Sequence, residues 1–127
     1  MQPASPWVIV VSRILMAAIF IHGGYGKAMN PSGTMAMLAH YNLPLPGAAY
    51  AVTLLVEIGA GLAFLLGWHG RAAGLVLAIW CVATALVAHY HPGDTNQIIH
   101  FYKNMCMAGG FLLVFAYGSG PFSLSRK

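Results

Sequence analysis

Four apolar runs, at about 7–26, 48–68, 72–89 and 98–117, fill most of a chain of 127 residues. A hydrocarbon core about 30 Å thick is crossed by a helix of about 20 residues, so each run is long enough to span a bilayer. In lipid every backbone N–H and C=O needs an internal partner, which leaves helices or a closed barrel. Barrel strands would show as alternating segments of about 10 residues, and these runs do not alternate. The expected fold is all-α, a four-helix transmembrane bundle forming one membrane domain over residues 1–127. Charge agrees: 6% of residues are charged and 59% hydrophobic, against about 25% charged in soluble domains. The six Lys and Arg residues are spread singly, with no basic patch, so the sequence gives no sign of a nucleic-acid partner. The lipid bilayer is the partner expected along the whole chain.

The connections set the topology. Trp68-His69-Gly70-Arg71 is a very short turn and makes the second and third helices antiparallel neighbours. The first loop holds Asn30-Pro31-Ser32-Gly33 and Leu43-Pro44-Leu45-Pro46-Gly47, both turn-forming, with a short surface helix expected between them over Thr34 to His40. The third connection carries a His-Pro-Gly-Asp turn, so two loops cap one end of the bundle. Arg71, Arg126 and Lys127 on one side outweigh Lys27 and Lys103 on the other, which orients the chain with both termini inside and both capping loops outside. Arg13 interrupts the first apolar run and no small-residue cleavage site follows, so that run is expected to stay as an anchor.

Only two acidic residues occur, and Glu57 lies in the middle of the second run. A carboxylate at membrane depth costs roughly 2.5–3.5 kcal/mol on insertion scales, so it needs a partner inside the bundle. Arg13 is the expected partner. It lies six residues past Trp7, and Glu57 lies eleven before Trp68 on a helix running the other way, which puts them at similar depth at about 1.5 Å per residue. Such a pair either fixes helix register or marks a functional centre. Arg13, Phe20, Gly24 and Lys27 share one helical face, while His22 points elsewhere. Gly23 and Gly24, with Gly59 and Gly61, suit close approach of the first two spans.

A second cluster opens the fourth run, where His100, Lys103, Asn104 and Met107 share a face. Joined by His89 and Lys27, they would make the outer end a polar, cationic pocket for an anion or for the carbonyl oxygens of a quinone-like ring. Their alternative role is interfacial, Lys27 and Lys103 anchoring helix ends among headgroups. Candidate ligand residues are thus Lys27, His89, His100, Lys103 and Asn104. His40, His89, His91 and His100 fall in the outer half, but the only nearby carboxylate is Asp94, so they are weak metal candidates and no metal is expected. Cys81 and Cys106 lie at different depths and form no Cys-x-x-Cys; both suit small buried apolar positions.

Arg13 with Gly23, Gly24 and Lys27, then Glu57 with Gly61, Gly67 and Arg71, then Ile99-His100-Phe101-Tyr102-Lys103-Asn104 with Gly109-Gly110, and the closing Gly118-Ser119-Gly120-Pro121-Phe122-Ser123-Leu124, together resemble the DoxX family of small bacterial membrane proteins. One departure is Ser125 where the family pattern often has aspartate. The resemblance implies a multi-pass protein of the bacterial inner membrane, related to a thiosulfate:quinone oxidoreductase subunit. It points to a membrane or quinone-interacting subunit of an oxidoreductase or redox-stress system, with quinone as the candidate cofactor and a partner subunit or a second copy as candidate partner. The sequence shows no dithiol or cofactor-binding loop, so at most it would be a subunit of an enzyme. Two alternatives stand beside this one. Four short helices with one membrane glutamate also suit a small transporter or permeability factor, although an arginine at the depth of Glu57 would hold it ionised and oppose proton exchange. A non-catalytic anchor for a partner protein is the other.

Overall fold

The computed structural model describes residues 5–125. Its helices are α1 (Pro6–Ala28), α2 (Pro31–His40), α3 (Pro46–Leu66), α4 (Gly70–His89) and α5 (Thr95–Tyr117). All but α2 are long and apolar enough to cross a membrane. The α2 helix starts three residues earlier than its sequence suggested, because Pro31 suits a first helical position and Asn30 Oδ1 accepts from Gly33 N at 3.2 Å. Arg126 and Lys127, which entered the orientation argument, lie outside the described residues.

The helix ends follow local chemistry. Ser5 Oγ accepts from Trp7 N ahead of Pro6, and Asp94 Oδ1 accepts from Asn96 N and Gln97 N to start α5. Gly67 stops α3 at φ +71, a left-handed backbone that only glycine adopts freely. Two helices contain π turns, Leu55–Ala60 in α3 and Ala85–His89 in α4. Such wide turns are rare and often sit at functional sites. Here the first carries Glu57 and the second ends at His89.

The spans form a ring in the order α1, α3, α4, α5, each antiparallel to the next. Phe111 of α5 sits at the centre, edge-on to Phe64 at 4.9 Å and to Phe20 at 5.5 Å, with Ala17, Leu77, Ala78 and Ala108 packed round it. Close approach depends on missing side chains. A Cβ on Gly24 would lie 2.7 Å from Ile58 Cγ1, and one on Gly74 would lie 3.0 Å from the Phe111 carbonyl oxygen. Gly59 does not serve this purpose, since a Cβ there would meet only Leu55 of its own helix. Large apolar side chains such as Leu15, Leu55, Ile79 and Leu113 face outward, as a bilayer solvent allows.

Two ends are distinguishable. One carries α2 and the α4–α5 connection. The other carries the start of α1, the α3–α4 turn and the closing segment, residues 118–125. That segment folds under the bundle: Leu124 N and Ser125 N donate to the carbonyls of Leu66 and Gly67 at 3.0 and 3.3 Å, and Phe122 stacks on Trp7 at 4.6 Å. It thereby satisfies carbonyls that the end of α3 would leave free.

The expected ion pair between Arg13 and Glu57 is not formed. Arg13 is 3% exposed and reaches the closing segment, its two terminal nitrogens donating to Ser123 Oγ at 2.8 Å and to the Phe122 carbonyl at 2.9 Å. Glu57 packs beside Gly23 and Gly24 instead. Gly24 lies eleven residues along α1 from Arg13, about 16 Å at a rise of 1.5 Å per residue. Side chains also lean toward the start of their own helix, so Arg13 and Glu57, on antiparallel helices, lean apart.

Candidate functional site

Glu57 meets a different cation. Lys27 Nζ lies 2.7 Å from Glu57 Oε1 and 3.0 Å from Oε2, and Trp80 Nε1 donates to Oε2 at 3.1 Å. The lean that separates Arg13 from Glu57 brings Lys27 toward it, because Lys27 lies beyond Gly24 on α1 and points back along the helix. Glu57 is 6% exposed and Lys27 half-buried. A charge pair of this kind is stabilised only when hydrogen bonds complete it, and the indole N–H supplies the third. Tyr50 Oη and Thr34 Oγ1 donate to the Lys27 carbonyl at 3.0 and 3.4 Å, which ties α2 and α3 to the end of α1.

Beside this pair lies a cavity of about 640 Å³ between α1, α3, α4 and α5, with α2 across it. That volume lies within the 300–1,000 Å³ range of small-molecule sites. Its wall is mostly apolar, with Phe20, Leu38 and Met107 among the lining residues, and exposed Ile19, Val52 and Val87 show that it reaches the lipid-facing surface. The polar groups are few: Lys27, Tyr41, Thr53, Glu57, Trp80, Thr84, His89 and Asn104.

Asn104 is 8% exposed and its orientation is fixed by its neighbours. Its Nδ2 donates to the Cys81 carbonyl at 3.2 Å and to Thr84 Oγ1 at 3.1 Å. A carbonyl can only accept. Thr84 Oγ1 spends its own hydrogen on the carbonyls of Trp80 and Cys81, so it too accepts. The amide oxygen of Asn104 therefore points away from both, takes no hydrogen bond among the described residues, and opens on the cavity. His89 Nδ1 lies 2.8 Å from Gln97 Oε1, an acceptor, so Nδ1 carries a hydrogen and donates it there.

Of the five residues proposed from sequence, Lys27, His89 and Asn104 meet at one cavity. The other two do not. The His100 ring stacks at 5.3 Å from His89 outside the lining, and Lys103 is exposed, turned about 100° from Asn104 by its place in the helix. His40 and His91 are exposed as well, and among the described residues no three His, Cys, Asp or Glu side chains converge. Cys81 is buried at the cavity wall, whereas Cys106 is exposed, against the expectation that both are buried. The sequence reading missed Trp80 and Thr84. Trp80 had a signal: it stands eleven residues after His69, as Glu57 stands eleven before Trp68, so the short turn places them at one depth.

Four apolar helices around a lateral cavity with one ion pair beside it define a small multi-pass membrane protein. The chain belongs to the DoxX family, whose model matches residues 8–90, a stretch that contains Lys27, Glu57 and Trp80 but not Asn104. It is 31% identical to the inner membrane protein YphA of Escherichia coli K12, over 98% of this chain and 92% of that one. It is 34% identical to the inner membrane protein YqjF of the same organism, over 93% of this chain and 89% of that one. No solved structure matches it. With four apolar spans and relatives of this kind, it is a multi-pass protein of the inner membrane.

Proposed function

We propose that the protein is a quinone-interacting membrane component of an oxidoreductase system, binding a lipid-soluble ring in the cavity beside Glu57. The observation that carries this is one apolar cavity, reached from the lipid-facing surface, with its few polar groups gathered at Lys27, Trp80, His89 and Asn104. A ring with an apolar tail suits such a space: the ring lies against Phe20 and Met107, and the tail leaves past Ile19, Val52 and Val87. Charge supports the same ligand class. Lys27 is neutralised by Glu57, so the site favours a neutral ring over the free anion that an uncompensated cation would attract. Both Glu57 oxygens are already engaged, which weighs against a carboxylate exchanging protons for a transported cation.

The test is extraction of the purified protein in mild detergent and identification of bound quinones by mass spectrometry. Wild type and Lys103→Ala should carry the ring, as quinone or quinol, in stoichiometric amount, and Asn104→Leu should carry less. Wild-type protein without quinone would sink this reading and favour an anchor or a small transporter.

A further inference from the structure

We infer that the cavity selects the hydroxyl-bearing form of its ring ligand, a hydroquinone or phenol, with Asn104 Oδ1 accepting the ring O–H. The inference rests on the cavity binding a ring, as proposed above, and adds which oxidation state it favours. It follows from counting hydrogens. The Trp80 indole N–H is spent on Glu57, both Asn104 amide hydrogens are spent on Cys81 and Thr84, and Lys27 directs its ammonium at both Glu57 oxygens. The donors left over are a further N–H of Lys27 and the Tyr41 hydroxyl, both on half-buried residues, and the weakly donating thiol of buried Cys81. The acceptor left over belongs to a residue only 8% exposed, in a mostly apolar wall.

An acceptor that a ligand covers without giving it a hydrogen bond is left unsatisfied, which is unfavourable. A ring carbonyl brought to Asn104 Oδ1 would set acceptor against acceptor, whereas a ring hydroxyl gives it the missing hydrogen. A tenfold preference for the reduced ring would raise the two-electron midpoint potential of the bound ligand by about 30 mV. The protein would then hold quinol more firmly than quinone.

The test uses a pair of redox-inert probes that differ in the one hydrogen: para-nonylphenol and its methyl ether. Each is titrated calorimetrically into the full-length protein in detergent micelles, with partition into empty micelles measured separately and subtracted. Wild type should bind the phenol about 10-fold more tightly than the ether, from the cost of an unmet acceptor. Asn104→Leu should bind the two alike. Equal binding by wild type, or a preference that survives in Asn104→Leu, overturns the inference. The wild-type comparison decides the matter even if the variant fails to fold. Extracted quinone together with equal probe binding would remove the selectivity and leave the quinone reading standing. No extracted quinone and no binding of either probe would remove both.

Discussion

The bundle holds two cations near opposite ends, Arg13 buried and Lys27 half-buried, and stabilises them in different ways. Lys27 meets a carboxylate, Glu57, completed by the Trp80 indole, and a cavity lies beside the pair. Arg13 meets no carboxylate among the described residues; it is held by a serine hydroxyl and a carbonyl from the closing segment, with Nε sealed off and unbonded. Ser123 Oγ donates to the Gly120 carbonyl at 2.7 Å, so it accepts from Arg13 and takes its remaining bond from Ser119. The contrast separates two uses of an intramembrane charge. At the α2 end, charge is neutralised by charge and a cavity stays open beside the pair. At the other end, backbone and hydroxyl groups close round the guanidinium and leave no room.

The largest effect should come from breaking the pair at the cavity. Glu57→Gln leaves Lys27 without its counter-charge, and removing one partner of a buried pair costs about 3–5 kcal/mol. The melting temperature in detergent should fall sharply, and the double variant Lys27→Met with Glu57→Leu should recover most of the loss. A wild-type melting curve for Glu57→Gln would dissolve the distinction between the two ends. Arg13→Leu should cost less, about 2 kcal/mol, because it frees neutral acceptors and not an opposite charge. Its signature is local: limited proteolysis should cut within residues 118–125 in the variant and not in wild type. Equal protection would show that the closing segment holds without Arg13.

A smaller change tests the packing between them. Gly24→Ala presses a methyl group on Ile58 Cγ1 at 2.7 Å and on Glu57 Cβ at 3.1 Å, at a cost of about 1 kcal/mol by the usual scale of overpacking. A modest fall in melting temperature is expected, and none at all would mean that α1 and α3 can part without loss. Lys103→Ala should be the mildest, within about 0.5 kcal/mol, as for exposed positions generally. A larger loss of stability would make the start of α5 part of the structure that holds the cavity.

The bundle was legible because membrane length is written in apolar runs, and Lys27 and Asn104 were legible because helical spacing puts them on inward faces. Arg13 was placed on the right face and at the wrong depth. The sequence reading took Trp7 and Trp68 as marks of one level, yet Trp7 stacks on Phe122 in the closing segment, and Arg13 lies level with Gly67, where a Cβ would collide with its guanidinium. Nothing in an apolar periodicity reveals that residues 118–125 turn back under the bundle. The Trp80 bond was within reach of the same arithmetic applied to the short turn. The π turns and the unmet oxygen of Asn104 arise only from how the helices pack in three dimensions.

The closing segment also sets an order of events during synthesis. Lys27 finds Glu57 30 residues later in the chain, but Arg13 waits 110 residues for Ser123. At about 5–20 residues per second, that is about 1.5–6 s for the first pair and about 5.5–22 s for the second. Each newly made molecule can therefore form its ion pair first, and keeps an arginine unsatisfied in the membrane until Phe122 and Ser123 arrive.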